Sequence, residues 1–259
     1  MSDYLSRLFG LEGKVAAVIG AAGFLCSEMA SALAKAGVRV AAIDNDTEKL
    51  KKVVDTIGSD CGKIAAFNLD VTKKEEHERV LTQILSRYGD VDILINGAGI
   101  NAPTPISDIS EEEWQNILNV NLKGTFLGCQ VFGKHMIEKR KGSIINISSV
   151  SSGPPLSKAY AYSVSKAGVK NLTQNLAREW AQYNVRVNSL KPGFFPTEWS
   201  RRNFITPERE KAILTHTPMQ RYGEPTELVG AVLWLSSEAA SFVTGAEITV
   251  DGGFTAMTI

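Results

Sequence analysis

Short apolar runs rich in β-branched residues alternate along this chain with longer stretches in which apolar side chains recur at helical spacing. The short runs are Val15–Ile19, Val38–Ile43, Ile64–Phe67, Val91–Ile95, Ser143–Ile147, Val185–Leu190 and Ala246–Val250. The helical stretches include Cys26–Ala36, Lys73–Tyr88, Glu111–Lys139, Ala159–Gln182 and Thr226–Ser236. Several short runs are almost wholly apolar, which is typical of strands buried on both faces. The pattern predicts an α/β fold with a doubly wound, mostly parallel sheet and helices on both faces.

The 259 residues are expected to form a single domain, because no low-complexity segment and no Pro/Gly/Ser-rich linker interrupts the alternation. In a doubly wound sheet, ligands bind beyond the carboxyl ends of the strands. The residues that directly follow each strand are therefore the first candidates for chemistry.

Composition narrows the functional classes. Lysine plus arginine and aspartate plus glutamate both total 28, so the basic excess of a nucleic-acid-binding protein is missing. No stretch approaches the roughly 20 apolar residues that cross a membrane. The segment Met1–Leu11 mixes acidic and basic residues and lacks the apolar core of a signal peptide. We therefore expect a cytoplasmic protein with a small-molecule substrate and no nucleic-acid or membrane partner.

The cysteines and histidines are too scattered to predict a disulfide framework or a metal site. They are Cys26, Cys61 and Cys129, and His77, His135 and His216.

The first strand run leads into a glycine turn, Gly20-Ala21-Ala22-Gly23, and then a helix. Backbone N–H groups and the positive helix end can bind a phosphate there, although an ordinary strand-to-helix turn is the alternative. Asp44 follows the second run, where a carboxylate can accept hydrogen bonds from an adenosine ribose and would repel a 2′-phosphate. The alternative for Asp44 is a helix cap.

Further polar residues follow later strands. Asp70 ends the third run, Asn96-Gly97-Ala98-Gly99 follows the fourth, and Ser148-Ser149 follows the fifth. Taken alone, Asp70 and the segment Asn96-Gly97-Ala98-Gly99 have the composition of ordinary turns. Tyr162 and Lys166 stand one helical turn apart and share a helix face. Two amphipathic surface residues are the alternative, but a serine at the end of the preceding strand favours a catalytic pair.

Together these motifs resemble the short-chain dehydrogenase/reductase family. The serine, the Tyr-x-x-x-Lys pair and the Asn-x-Ala-Gly element match the family in order and spacing, and Asn121 matches a fourth catalytic position. Ser149 fits better than Ser148 by its separation from Tyr162, and Tyr160 is excluded because Val164 stands where its lysine would be. The likeness extends from Gly13 to Phe254, and its later elements are Pro192-Gly193 with Thr197, and Thr244-Gly245 through Val250-Asp251-Gly252-Gly253.

The resemblance implies a Rossmann domain with seven strands in the order 3-2-1-4-5-6-7 and a hydride-transfer reaction between an alcohol or ketone and a nicotinamide cofactor. Tyr162 would exchange the proton, and Lys166 together with the oxidised nicotinamide would lower the pKa of its phenol. Ser149 would hydrogen-bond the reacting oxygen. Asn121 would hold a water that links Lys166 to solvent, the alternative being a bond to the backbone.

The resemblance also implies a cofactor site within about residues 13–150 and a substrate lid at about 194–219. The implied cofactor-binding residues are Gly20, Gly23, Phe24, Leu25, Asp44, Asp70, Val71, Asn96, Ala98, Gly99, Tyr162, Lys166, Pro192, Gly193 and Thr197. NAD is expected rather than NADP, because Asp44 supplies negative charge and the positions that carry a cation in NADP-dependent members are Gly23 and Asn45.

Two residues depart from the family pattern. Its glycine loop usually reads Thr-Gly-x-x-x-Gly-x-Gly, and this chain has Phe24 and Cys26 at the second and third glycine positions. An apolar residue at the second position resembles the D-mannonate and related sugar-acid oxidoreductases of the family, as do Pro192-Gly193-Phe194-Phe195 and His216-Thr217-Pro218-Met219. The next nearest resemblance is to the gluconate 5-dehydrogenases, through Ala98-Gly99-Ile100-Asn101. A sugar acid or polyol is therefore the expected substrate. The alternatives are another substrate, such as a 3-oxoacyl thioester, steroid or free sugar, or a cofactor-binding protein that has lost catalysis.

If the substrate is a sugar acid, a cation is expected to bind its carboxylate. The candidates for this role are Lys158, Arg201, Arg202, His216 and Arg221.

The resemblance also implies an oligomer. It would be a homotetramer or homodimer with interfaces at Glu111–Lys139, Ala159–Gln182 and Thr226–Phe254. The apolar end, Phe254–Ile259, is expected to be buried against a partner.

Overall fold

The computed structural model of the chain describes residues 3–61, 63–154 and 156–257. Within these residues, seven strands form one sheet in the order β3-β2-β1-β4-β5-β6-β7, and every neighbouring pair is parallel. The strands are β1 (Val15–Ile19), β2 (Arg39–Asp44), β3 (Ile64–Asn68), β4 (Ile93–Asn96), β5 (Gly142–Ile147), β6 (Val185–Pro192) and β7 (Glu247–Val250). The predicted fold class and strand order are confirmed.

Helices connect the strands. They are α1 (Asp3–Phe9), α2 (Phe24–Lys35), α3 (Thr47–Cys61), α4 (Lys74–Tyr88), α5 (Glu111–Leu118), α6 (Gly124–Lys139), α7 (Tyr160–Trp180), α8 (Glu198–Phe204), α9 (Pro207–His216) and α10 (Val229–Ser236). The helix predicted over Glu111–Lys139 is continuous but contains a π-helical turn at Asn119–Lys123 between α5 and α6. Such turns are rare and occur most often at functional sites.

Two apolar cores cover the two faces of the sheet. One face packs against Leu33 of α2 and Val232 of α10, and the other against Ile84 of α4 and Phe132 of α6. All five residues of β1 are buried, because successive side chains enter opposite cores. This arrangement explains why the strand sequences are apolar without alternation.

The segment predicted as a lid contains the two short helices α8 and α9. Thr197 caps α8, with its Oγ accepting the N–H of Ser200 at 3.0 Å. Thr206 caps α9 in the same way through the N–H of Arg209 at 3.3 Å, and Pro207 is its first residue. Threonine caps and a proline at the first helical position are local signals for a helix start. They fold this segment near the carboxyl ends of β5 and β6.

Candidate active site

Ser149 and Tyr162 line one cavity of about 480 Å³ at the carboxyl ends of the strands. Ser149 lies just after β5, and Tyr162 is in the first turn of α7. The two side chains lie close enough that the Ser149 hydroxyl lowers the pKa of the Tyr162 phenol. The Ser149 Oγ also accepts the N–H of Ser151 at 3.2 Å and its hydroxyl at 3.1 Å, which fixes the serine rotamer. The structure thus brings the predicted serine and tyrosine together.

Lys166 lies behind Tyr162 and is 3% exposed. Its Nζ donates a hydrogen bond to the carbonyl oxygen of Ile147 at 2.8 Å and lies 5.5 Å from the centre of the Tyr162 ring. Burial lowers the pKa of the Lys166 ammonium group from 10.5 to about 8. The lysine is therefore a poorly solvated cation directed at the end of β5.

Without the charge of an oxidised nicotinamide, the chain itself does not lower the pKa of the Tyr162 phenol. Burial raises this pKa, and the Ser149 hydroxyl opposes that rise. The lysine does not lower it because Lys166 approaches the face of the ring and donates to a backbone carbonyl. In this geometry the chain alone holds Tyr162 as a protonated phenol.

Asn121 lies in the π-helical turn and is fully buried. Its Oδ1 accepts the N–H of Ile100 at 2.8 Å, and its Nδ2 donates to the Ile100 carbonyl at 2.9 Å and to the Ser165 Oγ at 3.0 Å. The amide thus fixes the loop after β4 and α7, and its backbone partner is this loop, not the helix backbone of the alternative. A Cβ added at Gly99 would lie 3.4 Å from the Asn121 Oδ1 and 3.5 Å from the Lys166 Nζ, so these groups meet beside that glycine. The water relay stays a prediction.

A second cleft lies at the ends of β1, β2 and β4, where the strand order reverses. Its lining includes seven of the predicted cofactor-binding residues, namely Gly20, Gly23, Asp44, Asp70, Val71, Ala98 and Gly99. Gly20 has φ +88°, and a Cβ there would lie 2.7 Å from the Ala98 nitrogen, so the close approach of the two loops requires glycine. Gly99 and Ile100 line both this cleft and the cavity of Ser149 and Tyr162, so the two adjoin.

The start of α2 opens at this cleft. Gly23 is its N-cap, no side chain caps the helix, and its first turn contains no acidic residue. Phe24 and Leu25 begin the helix, and Phe24 is 46% exposed. An uncapped helix N-terminus behind a glycine turn can bind a phosphate with its N–H groups. The Gly20 and Gly23 turn therefore fits the pyrophosphate of a dinucleotide.

Asp44 ends β2 and faces the glycine turn. Its Oδ2 accepts the N–H of Ala22 at 3.0 Å, and its Oδ1 accepts the N–H of Asp46 at 3.1 Å. The cap of α3 is Asp46, whose Oδ1 accepts the N–H of Lys49 at 3.0 Å. The helix-cap alternative for Asp44 is therefore wrong, and its carboxylate lies on the wall of the cleft.

Asp70 and Val71 lie on the opposite wall. The Asp70 Oδ1 accepts the Thr72 hydroxyl at 2.7 Å, and that bond lowers the pKa of the carboxyl. The Val71 carbonyl is 3.0 Å from the His77 Nε2. These contacts fix the loop after β3.

Asn96 lies below the cleft. It is 4% exposed, and its Nδ2 donates to the Asn146 Oδ1 at 2.8 Å and toward the Cys129 Sγ at 3.3 Å. The Asn146 Nδ2 donates in turn to the Thr173 Oγ1 at 3.0 Å. The Asn96 side chain is absent from the lining, so any role in cofactor binding is to position the loop that follows it. The sequence did not predict this polar network between β4, β5 and α7.

Cys26, at the third glycine position of the family pattern, is 4% exposed and packs against Gly97. A Cβ at Gly97 would overlap the Cys26 Sγ, so a glycine on the facing loop supplies the space that the cysteine occupies. Burial raises the pKa of this thiol to about 12. The cysteine therefore acts as a neutral packing residue.

Pro192, Gly193 and Thr197 follow from β6. Pro192 pairs with Val250, and the Gly193 N–H donates to the Val250 carbonyl at 2.9 Å. A Cβ at Gly193 would lie 2.6 Å from the Asp251 Cα. Gly193 and Thr197 line the cavity of Ser149 and Tyr162, as a contact with the nicotinamide end requires.

The five cations predicted to grip a carboxylate are absent from the lining of that cavity, and Arg209 lines it instead. Three of the five pair with acidic residues, in Arg201–Glu210, Arg202–Glu198 and Arg221–Glu227. His216 is exposed and packs on Phe254 with ring centres 4.8 Å apart.

Phe254 is 6% exposed and already packs within its own chain against Phe194, and burial of the chain end against a partner stays a prediction. Thr258 and Ile259, also in that prediction, lie outside the described residues. Within the described part of the chain, no helix is long and apolar enough to cross a membrane. The same residues contain no group of three or more His, Cys, Asp or Glu side chains suited to a metal ion.

Comparison with known proteins agrees with this geometry. A family model described as enoyl-(acyl carrier protein) reductase matches residues 20–255. The chain is 36% identical over 247 residues to D-threitol dehydrogenase of Mycolicibacterium smegmatis, covering 95% of each chain. It is 33% identical over 249 residues to 5-keto-D-gluconate 5-reductase of Escherichia coli, covering 96% of this chain and 98% of that one.

A solved structure is similar over the same extent. The gluconate 5-dehydrogenase of Burkholderia cenocepacia, in complex with NADP and tartrate, superposes with a TM-score of 0.93 at 31% identity, covering 98% of this chain and 100% of that one. The similarity spans the glycine turn, the serine and tyrosine cavity and the lid helices. The chain therefore belongs to the short-chain dehydrogenase/reductase family, oxidoreductases that act on CH–OH groups.

Proposed function

We propose that this chain is an NAD-dependent oxidoreductase that interconverts a secondary alcohol and a ketone on a sugar acid or polyol. The main observation in support of the proposal is that two sites lie next to each other. The cavity with Ser149 and Tyr162 meets the cleft with the glycine turn and Asp44 at Gly99 and Ile100. A substrate oxygen at Tyr162 and a dinucleotide in the cleft can therefore meet.

The chain's own residues manage the proton and the developing charge. A bound nicotinamide supplies or accepts the hydride. Tyr162 gives its phenolic proton to the carbonyl oxygen during reduction and takes it back during oxidation. Ser149 holds that oxygen beside the phenol through its hydroxyl. Lys166 places a buried positive charge behind the ring, and this charge together with that of a bound oxidised nicotinamide would stabilise the phenolate in the oxidising direction.

NAD preference rests on Asp44. A 2′-phosphate in the cleft would face this carboxylate, and at short range in a partly buried site the repulsion corresponds to roughly tenfold or more in affinity. Lys49, whose charge reaches Asp44, already pairs with Asp46 at 2.8 Å. The Burkholderia relative was solved with NADP, so the specificity constants of this chain with each cofactor are the decisive measurement.

The cofactor test compares kcat/KM for NAD and NADP in the wild type and in Asp44→Ala. The wild type should favour NAD by about tenfold or more, and the variant should narrow that ratio by weakening NAD use and improving NADP use. Equal or better use of NADP by the wild type contradicts the role given to Asp44.

The substrate test is a panel of sugar acids and polyols followed at the nicotinamide absorbance. The D-threitol and 5-keto-D-gluconate relatives support this panel. A 3-oxoacyl thioester is the second candidate, favoured by 37% identity over 245 residues to the 3-oxoacyl-[acyl-carrier-protein] reductase of Thermotoga maritima, and belongs in the same panel. Cofactor binding without turnover of any panel member would favour the non-catalytic alternative suggested by Phe24 and Cys26.

The proposal also assigns the cofactor and the substrate to different segments of the chain and includes an oligomeric state. Residues of about 13–150 hold the cofactor, and about 194–219 cover the substrate as a lid. The protein acts as a cytoplasmic homodimer or homotetramer.

A further inference from the structure

The cavity of Ser149 and Tyr162 is lined mostly by apolar side chains, with a single cation among its lining residues. Leu156, Phe194, Phe204 and Ile213 contribute to the apolar part, and Arg209 is the cation. A charged group in such surroundings is costly to desolvate unless it has a partner. The position of this arginine therefore calls for an explanation.

The backbone and the guanidinium of Arg209 are both fixed. Its N–H is held by the Thr206 cap in the first turn of α9. Its Nη1 donates to the Ser157 Oγ at 2.8 Å, and its Nη2 donates to the Ser157 carbonyl at 2.9 Å. These bonds orient the side chain from the lid toward the loop that follows Ser149. A guanidinium carries further N–H donors in a planar fork, and these suit a carboxylate.

The charge of Arg209 is not neutralised by the chain. Among the described residues no ion pair of Arg209 is found, whereas Arg201, Arg202 and Arg221 nearby in sequence each pair with a glutamate. Burial lowers the pKa of Arg209, and a guanidinium still remains protonated at physiological pH. A half-buried cation without a carboxylate partner faces the space that the substrate occupies.

We propose that Arg209 binds the carboxylate of the substrate and thereby selects sugar acids over neutral polyols. This inference rests on the proposed oxidoreductase function. The reacting hydroxyl lies at Tyr162 and the acid group at Arg209, on walls of one cavity of about 480 Å³. Arg209 is the cation among the described residues that line this cavity. Its charge therefore favours the binding of an acid over the binding of a neutral polyol.

The test compares matched acids and polyols, D-gluconate with D-glucitol and D-mannonate with D-mannitol. The wild type should favour the acids. Arg209→Gln should raise KM for the acids by about tenfold to a hundredfold, with kcat less affected and KM for the polyols nearly unchanged. Arg209→Lys keeps the charge without the fork and should retain part of the preference for acids.

Two controls separate charge from lid structure. Ser157→Ala removes one bond to the guanidinium but keeps its charge, and should keep the preference for acids. Arg202→Ala removes an exposed cation of the same lid that pairs with Glu198, and should behave like the wild type. Equal losses on acids and polyols in Arg209→Gln overturn the inference, because they indicate a loosened lid.

Binding is measured separately from turnover, as the rise in Tm on adding D-gluconate to the protein with NADH. The rise should occur in the wild type and be lost in Arg209→Gln. A wild type that turns over polyols only keeps the proposed function and overturns the role of Arg209. A wild type that binds NADH but neither binds nor turns over sugar acids or polyols overturns both.

Discussion

Lys166 is 3% exposed, and burial lowers the pKa of its ammonium group from 10.5 to about 8. In the unfolded chain this lysine titrates near its ordinary pKa, so at pH 7 both states carry the proton and folding must desolvate the charge. The free-energy cost is fully present below about pH 8, and it falls as pH rises toward 10.5, where the unfolded lysine also becomes neutral. The residue that supports catalysis therefore lowers stability at neutral pH.

Replacing Lys166 with methionine is expected to stabilise the fold and stop the reaction. At pH 7 the free energy of unfolding should rise by on the order of 1 kcal/mol, because relief of desolvation exceeds the lost hydrogen bond to Ile147. Urea unfolding at pH 7 and pH 10 measures this. The gain should shrink at pH 10, and a gain that is constant across that range contradicts the buried charge as its cause.

Tyr162→Phe removes the transferable proton while leaving the ring in place. We expect kcat to fall by about a hundredfold or more, with little change in the Kd for the cofactor. Tyr160→Phe is a matched control, since Tyr160 is 40% exposed and two residues away on the same helix. Near-normal turnover in Tyr162→Phe, or equal losses in both variants, would remove Tyr162 from the proton transfer.

At the scale of elements, Cys26 of α2 packs directly against Gly97 in the loop after β4. Gly97→Ala should destabilise the chain by about 2 kcal/mol, because the new Cβ overlaps the Cys26 Sγ. In a Cys26→Ala background the same change should cost at least about 1 kcal/mol less, a coupling that a double-mutant cycle in urea detects. Additive effects contradict direct packing.

A control for this cycle lies in α10. Gly230 has no atom within 4 Å of where a Cβ would stand, so Gly230→Ala should be neutral or slightly stabilising. A clear loss of stability in Gly230→Ala would show that the space around a glycine does not predict the effect of Gly→Ala in this protein, and it would undermine the interpretation of Gly97→Ala.

The central strands β1, β2, β4, β5 and β6 were predictable because they are mostly buried on both faces, so that a continuous apolar run marks each of them. Helices were expected in the gaps between the strands, but the bounds of several, including α3, were not given, although Asp46 before Thr47 was an available start signal. The π-helical turn at Asn119–Lys123 follows from hydrogen bonds to Ile100 and Ser165, which join parts of the chain far apart in sequence. The periodicity of apolar residues cannot predict contacts between residues that are far apart in sequence.

The candidate site also contains residues that the sequence predicts and one that depends on the tertiary fold. Ser149, Tyr162 and Asp44 follow from strand order and helix spacing, since the carboxyl ends of parallel strands share one edge. Arg209 was missed because its direction depends on how α9 folds over the cavity. The Thr206-Pro207 pair was the available signal, because it marks a helix start and places Arg209 in the first turn.

On the scale of the whole molecule, apolar side chains remain exposed on the helices expected at the interface. Phe126 of α6 is 41% exposed and Val164 of α7 is 50% exposed. α6 and α7 pack against each other over one face of the sheet. Exposed large apolar side chains on adjoining helices are typical of a surface that a second copy covers.

The last prediction is that the protein is a homodimer or homotetramer that uses this surface. Light scattering at micromolar concentration should give at least twice the 28.1 kDa of one chain. The pair Phe126→Asp and Val164→Asp should lower that mass, because burying carboxylates in an apolar interface without partners is costly. Tyr4→Asp is the matched control, since Tyr4 is 63% exposed on α1, outside the three predicted interface segments, and should leave the mass unchanged. A wild type that is monomeric contradicts the assembly, and a wild-type oligomer that both helix variants leave intact assigns the interface to another face, such as the segment Thr226–Phe254.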